Sequence, residues 1–107
     1  MNEPSELELA FHQRMLRVYD EARSECNYIA SRFLQMVTDL GGVQAAKQLL
    51  GTEGYSEGLT RLWEEGRLDI SVEAAVLEDQ WRNLFTKEEL ATASKRLEQL
   101  GLRLRKE

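Results

Sequence analysis

Cysteine and histidine each occur once, as Cys26 and His12. A single thiol excludes an internal disulfide, and the two residues together supply too few soft ligands for a structural zinc site. No metal and no cofactor is expected, and a reducing cytoplasm is the setting that follows. Proline also occurs once, near the start, and no run of alternating β-branched residues reads as a strand. With Leu, Ala, Glu, Arg and Gln abundant, the chain reads as all-α. No apolar run is long enough to span a bilayer, and Met1-Asn2-Glu3-Pro4 begins acidic where a secretory signal would begin basic, so no membrane association is expected. Positive charge is not in excess either. The formal net charge of −5 disfavours broad attraction to nucleic acid or anionic lipid.

The chain of 107 residues has the length of one domain. Without repeats, low-complexity tracts or linkers, it reads as a single helical domain over 1–107, frayed at 1–4 and 102–107. The stretch Ser31 to Leu50 is expected to be its centre. Phe33, Leu34, Val37 and Leu40 share one helix face, Val43, Ala46, Leu49 and Leu50 share another, and Gly41-Gly42 lies between them. The first glycine suits a left-handed helix end, the second frees the following turn, and the chain should reverse into a hairpin. Ala45 and Ala46 are small enough to let a neighbouring helix approach.

Local signals place the other helices. Ser5-Glu6-Leu7-Glu8 has the form of a capping box and starts a helix near Glu6. Its apolar stripe is Leu7, Phe11, Met15, Val18, Ala22 and Cys26. The turn-favouring residues Ser24 to Tyr28 break it, with Asn27 suited to a left-handed cap. The alternative is one helix from Glu6 to Leu40. Gly51 to Ser56 reads as a loop, and Ser56 caps a helix with Leu59, Leu62 and Trp63 inward that stops at Gly66. Ser71 caps the next, with Glu73 facing its positive end. Thr86 and Glu89 form a second capping box, Phe85 and Leu90 a hydrophobic staple, and Leu90, Ala93, Leu97 and Leu100 a stripe ending at Gly101. Five or six helices result. Trp63 and Trp81 are expected in the core, since a small domain needs large apolar side chains.

The strings FHQRMLRVYDEARSECNYIASRFLQMV, GGVQAAKQLL and GLTRLWEEGRLDISVEAAVL, followed by LFTKEEL, resemble a group of small bacterial helical proteins. The resemblance runs from Phe11 to Leu100. The group commonly has a glycine before the tyrosine and a proline shortly before the arginine and phenylalanine, where this chain has Asn27 and Ala30 or Ser31. The group carries no established activity, so the resemblance implies a compact bacterial helical domain and nothing catalytic.

Chemistry is sparse. No phosphate loop, nucleophile elbow or paired metal-ligand motif is present. His12 follows Glu8 by one turn, which reads as a surface pair, and Cys26 falls on the apolar stripe as a small hydrophobe. The most suggestive polar cluster is RLWEEGRLD. Arg61 and Glu64 share helix surface with Glu65, and Arg67 and Asp69 flank a leucine where a guanidinium could satisfy free carbonyls and pair with a carboxylate. Tyr28 and Arg32 stand four apart across the proposed break. The Arg61 to Asp69 cluster is read first as fixing a helix angle, Tyr28 and Arg32 first as local packing and capping, and all six second as partner-binding residues. An interaction or accessory module with a protein partner is the leading functional expectation, and self-association is compatible with it. The alternative is a helix-turn-helix DNA binder over Gly41 to Arg67, opposed by the length of Gly51 to Tyr55 and by Glu57, Glu64 and Glu65 where phosphates would lie.

Overall fold

The computed structural model describes residues 4–102; the basic stretch 103–107 and residues 1–3 lie outside the described residues. The architecture is an all-α bundle. Its helices are α1 (Glu6–Cys26), α2 (Ser31–Leu40), α3 (Gly42–Gly51), α4 (Glu57–Glu64), α5 (Val72–Val76) and α6 (Lys87–Gln99). Short 3-10 turns, Leu68–Ile70 and Asp79–Leu84, flank α5.

The local signals act where they were placed. Ser5 Oγ accepts the Glu8 N–H at 3.0 Å, while Glu8 Oε1 accepts the Ser5 N–H at 2.8 Å. Two orphan donors of α1 are thereby satisfied. At its other end Asn27 takes φ 55° and ψ 33°, so the helix ends and the continuous alternative is excluded. Ser56, Ser71 and Thr86 accept N–H bonds from Leu59, Ala74 and Glu89. Gly101 ends the last stripe with φ 97°, and the Leu102 N–H donates to the Leu97 carbonyl at 2.9 Å. Half-buried against Leu97, Leu102 is fixed rather than frayed.

The core is centred on α1 and α3, with α2 as an outer arm. Phe11, Met15, Val37, Ala45, Ala46 and Val76 are sealed from solvent. Gly42 explains the closeness: a β-carbon there would lie 2.6 Å from His12 Cα, so only glycine lets the start of α3 rest on α1. Gly41 carries the positive φ, 86°, but with ψ 157°, so the bend is not the expected left-handed helix end. Of α2 only Val37 is buried. Leu34 is half-buried and Leu40 is 44% exposed, because α1 and α3 already fill the space a two-sided hairpin core would occupy. Gly51 belongs to α3 rather than to the loop.

The tryptophans divide. Trp81 is buried edge-on against Phe11, ring centroids 5.3 Å apart, and Phe11 in turn meets the Phe85 ring at 5.2 Å. Trp63 is 48% exposed, against expectation. The two turns of α4 bury Leu59 and Leu62, and the residue after Leu62 is rotated about 100° away from that face. Its N–H partners and inward leucines therefore fix α4 without the indole.

Behind the core runs a buried ion pair. Arg96 Nη1 donates to Glu73 Oε2 at 3.1 Å and to the Leu49 carbonyl at 3.1 Å, and Nη2 reaches the carbonyls of Leu50 and Thr52. Free carbonyls at the end of α3 are thus closed by a guanidinium from α6. Glu73 sits in the first turn of α5 as expected, but its carboxylate is buried.

Candidate functional site

The C-terminal half of α1 borders a half-open cleft of about 500 Å³. Its walls are apolar, with Val18, Ala22, Phe33, Met36, Leu59 and Leu62 among them. Four non-helical residues, Asn27 to Ala30, separate α1 from α2 and carry the chain around the mouth. Tyr28, Ser31, Arg32, Ser56 and Glu57 supply polar groups around its mouth, and Tyr19, Ser71 and Glu73 also line it. Ile29 also lines the cleft and is 61% exposed, although it is a large apolar side chain. Volume, apolar lining and a few convergent polar groups are the properties of a binding cavity.

The mouth is held open by charge rather than by packing. Arg61 Nη2 donates to the Cys26 carbonyl at 3.2 Å, its Nε to Glu65 at 3.1 Å, and its guanidinium lies 5.2 Å from the centre of the Tyr28 ring. Arg67 grips Asp69 with two bonds of 3.0 Å and also bonds Glu25 on α1. These two arginines tie α4 and the Leu68–Ile70 turn to the end of α1. The bond from Arg67 holds the Asp69 carboxyl below its ordinary range, and the bond to Asp69, then that to Glu25, raises the guanidinium further. Burial, then the Glu57 carboxylate, pushes the Tyr28 hydroxyl up, so it stays a neutral donor and acceptor.

The six candidate residues therefore separate into two groups and one outlier. Tyr28 and Arg32 line the cleft. Arg61, Arg67 and Asp69 form the clasp beside it, and Glu64 is exposed on α4 away from the lining. Sequence reasoning passed over Ile29, Glu57, Gly58 and Glu73 as parts of one site. A signal existed for the buried pair behind it: Arg96 interrupts the stripe Ala93, Leu97, Leu100 at a position one face shares.

Among the described residues, His12 and Cys26 lie apart. His12 is half-buried, and its Nδ1 accepts the Gly42 N–H at 2.9 Å. It therefore caps α3 and does not pair with Glu8 as expected. Cys26 is buried and its thiol is pushed up, by burial first and by Glu65 next, so the thiolate is disfavoured. Fourteen helical residues separate it from His12, about 21 Å along α1. Among the described residues no group of three or more His, Cys, Asp or Glu could hold a metal ion, and no helix is long and apolar enough to cross a membrane.

A second, more open depression lies along Arg14, Arg17, Glu78 and Trp81. Arg14 spends two bonds, 3.1 and 2.9 Å, on Glu78, which also accepts the Trp81 indole N–H at 2.9 Å. That arrangement is a structural junction. α4 packs on the Leu68–Ile70 turn, and its contact with α3 is slight at most. Comparison with protein-family models, with curated proteins and with solved structures gives no match to this chain.

Proposed function

We propose that the chain is a non-catalytic interaction module of the bacterial cytoplasm that receives part of a protein partner in the cleft beside Tyr28 and Arg32. The observation that carries this reading is a half-open apolar cleft of about 500 Å³ with an exposed isoleucine at its mouth. Apolar surface of that shape is unfavourable in water, and covering it lowers the free energy. The clasp of Arg61 and Arg67 is its scaffold: with their donors engaged on Cys26, Glu25, Glu65 and Asp69, these arginines are less suited to the partner contact than Arg32.

A DNA-binding role is the weaker reading. Glu57, Glu64 and Glu65 are all exposed on α4 and would face phosphates. The test is a photo-crosslinking residue in place of Ile29, activated in the cells from which the chain comes. The expected result is one dominant protein adduct that is absent when the residue replaces Lys95 on α6 and is lost on addition of Gly58→Leu, which fills the cleft. An adduct that forms equally from both positions, or none from Ile29, speaks against the reading.

A further inference from the structure

Resting on that reading, we propose that the partner segment received by the cleft carries a carboxylate beside its apolar side chains, and that Arg32 recognises it. The walls dictate the apolar part. Val18, Ala22, Phe33, Met36, Leu59 and Leu62 offer no hydrogen bonds from their side chains, so the part of a ligand that lies against them is hydrocarbon or aromatic. The mouth dictates the rest.

Arg32 is the one basic residue in the lining. It has no carboxylate partner among the described residues, a property it shares with Arg23 and Arg82, which do not line the cleft, whereas Arg14, Arg17, Arg61, Arg67 and Arg96 are paired. A guanidinium on the edge of an apolar cavity is a two-pronged donor matched to a carboxylate, and partial desolvation under a bound segment strengthens the pair. Deeper in, Glu73 is already answered by Arg96 and calls for no cation. Glu57 lines the same mouth with the opposite sign. A single carboxylate can seat on Arg32 while a polyanion such as nucleic acid meets Glu57 as well, and is repelled. Ile29 selects a protein segment over a free amphiphilic acid: a molecule held wholly inside the cavity leaves that 61% exposed side chain in water, but a chain lying across the mouth covers it.

The experiment uses the full chain against a phage-displayed library of random sixteen-residue peptides, followed by fluorescence anisotropy with the synthetic consensus peptide. The expected peptides place apolar residues next to Asp or Glu. Gly58→Leu should abolish their binding; the nearest atoms to a β-carbon there are those of Tyr28 at 3.8 Å and Ser56 at 3.9 Å, so the branch point itself meets no clash. Ser31→Trp, at an exposed rim position, is the second blocking variant. Arg32→Glu should weaken the consensus roughly tenfold, and exchanging the peptide's acid for lysine should restore binding to Arg32→Glu alone.

Peptides that are blocked by Gly58→Leu or Ser31→Trp but share no acid and ignore Arg32→Glu would overturn the carboxylate while leaving the cleft as the docking site. Failure to recover any peptide sensitive to either blocking variant would overturn both. Sodium dodecanoate, added as a separate probe, should bind no more strongly to the wild-type chain than to Gly58→Leu. Dodecanoate binding that the blocking variants abolish, with no peptide showing the same sensitivity, would assign the cavity to a small amphiphile instead.

Discussion

Between Phe11 and Met15 the first helix is met so closely by α3 that a β-carbon on Gly42 would lie 2.6 Å from His12 Cα, whereas from Val18 to Ala22 the same helix borders a cleft of about 500 Å³. Both stretches carry the same apolar spacing, so the stripe alone does not decide which becomes core. The opposing residues do. Facing the first stretch are Gly42, Ala45 and Ala46, which let backbones approach. Facing the second are helix starts held at a distance by the Asn27 to Ala30 linker and by arginines that bond the end of α1 through its carbonyl and carboxylate. Small residues close a bundle, and directed polar bonds can hold part of it open.

The largest expected effect comes from Arg96→Met, which attacks the wall shared by the two regions. It strands the Glu73 carboxylate in the interior and frees the carbonyls of Leu49, Leu50 and Thr52. Breaking one side of a buried pair costs about 3–5 kcal/mol. Urea denaturation should show that loss, and adding Glu73→Leu should recover much of it, because a pair replaced as a whole leaves no charge unanswered. A single variant within about 1 kcal/mol of wild type would mean the pair is not part of the fold's support.

Next in size is the closed contact itself. Gly42→Ala should cost about 1–3 kcal/mol, since the added methyl meets backbone that cannot yield cheaply. Gly51→Ala is the control. That glycine is helical, has no positive φ, and nothing lies within 4 Å of its β-position, so alanine there should be neutral or gain about 0.5 kcal/mol. Equal thermal midpoints for the two variants would erase the distinction between closed and open regions.

Acid should loosen the closed region more than the mouth. Partial burial raises the Glu78 and Glu89 carboxyls, but Arg14 and Trp81 on one, and Lys47 and the Thr86 N–H on the other, outweigh it and leave both below their ordinary range. Their stabilisation is complete above the unfolded value of about 4.3 and is lost as pH falls through the lower folded values. Glu73 runs the other way: burial raises its carboxyl, so its contribution is present below about 4.3 and lost as pH rises through the folded value. The exposed Arg67–Asp69 pair on the mouth side adds little in either range. Stability should therefore fall on acidification below about pH 4.3, by on the order of 1 kcal/mol, and Glu78→Gln with Glu89→Gln should flatten that limb. A slope unchanged in the double variant would place the acid response elsewhere.

The parts of this fold legible in sequence are those whose partners are three or four residues apart. The Ser5–Glu8 and Thr86–Glu89 boxes, the break at Asn27 and the caps at Ser56 and Ser71 are all local. Leu40 and Trp63 read as inward from spacing alone, because spacing marks a face without saying whether another element reaches it. The glycine pair was legible as a bend but not as a contact, since the atom Gly42 must avoid belongs to His12, thirty residues earlier. The site shows the same division. Tyr28 and Arg32 stand near a visible break, while Glu73 and Arg96 are 23 residues apart and Arg96 reaches carbonyls more than forty residues away.

The smallest expected effect gives the finest test of the comparison. Gly58 and Gly42 are both helical glycines beside α1 or its exit, and although the sequence marks Gly42 as part of a bend, it does not show how much space surrounds either. At Gly42 the β-position is occupied by backbone; at Gly58 its nearest neighbours are Tyr28 Cε2 and Oη at 3.8 Å, an ordinary contact distance. Gly58→Leu therefore places hydrocarbon in open apolar space. It gains helix propensity and buries its own side chain against the cleft walls, while it screens part of the Tyr28 hydroxyl from water. These terms oppose one another, and the net change should lie between zero and about 0.5 kcal/mol of added stability. A thermal melt beside Gly42→Ala reads the difference directly: the larger side chain should be the better tolerated one. Should Gly58→Leu destabilise as much as Gly42→Ala, the cleft is not free space, and the open half of α1 closes like the other.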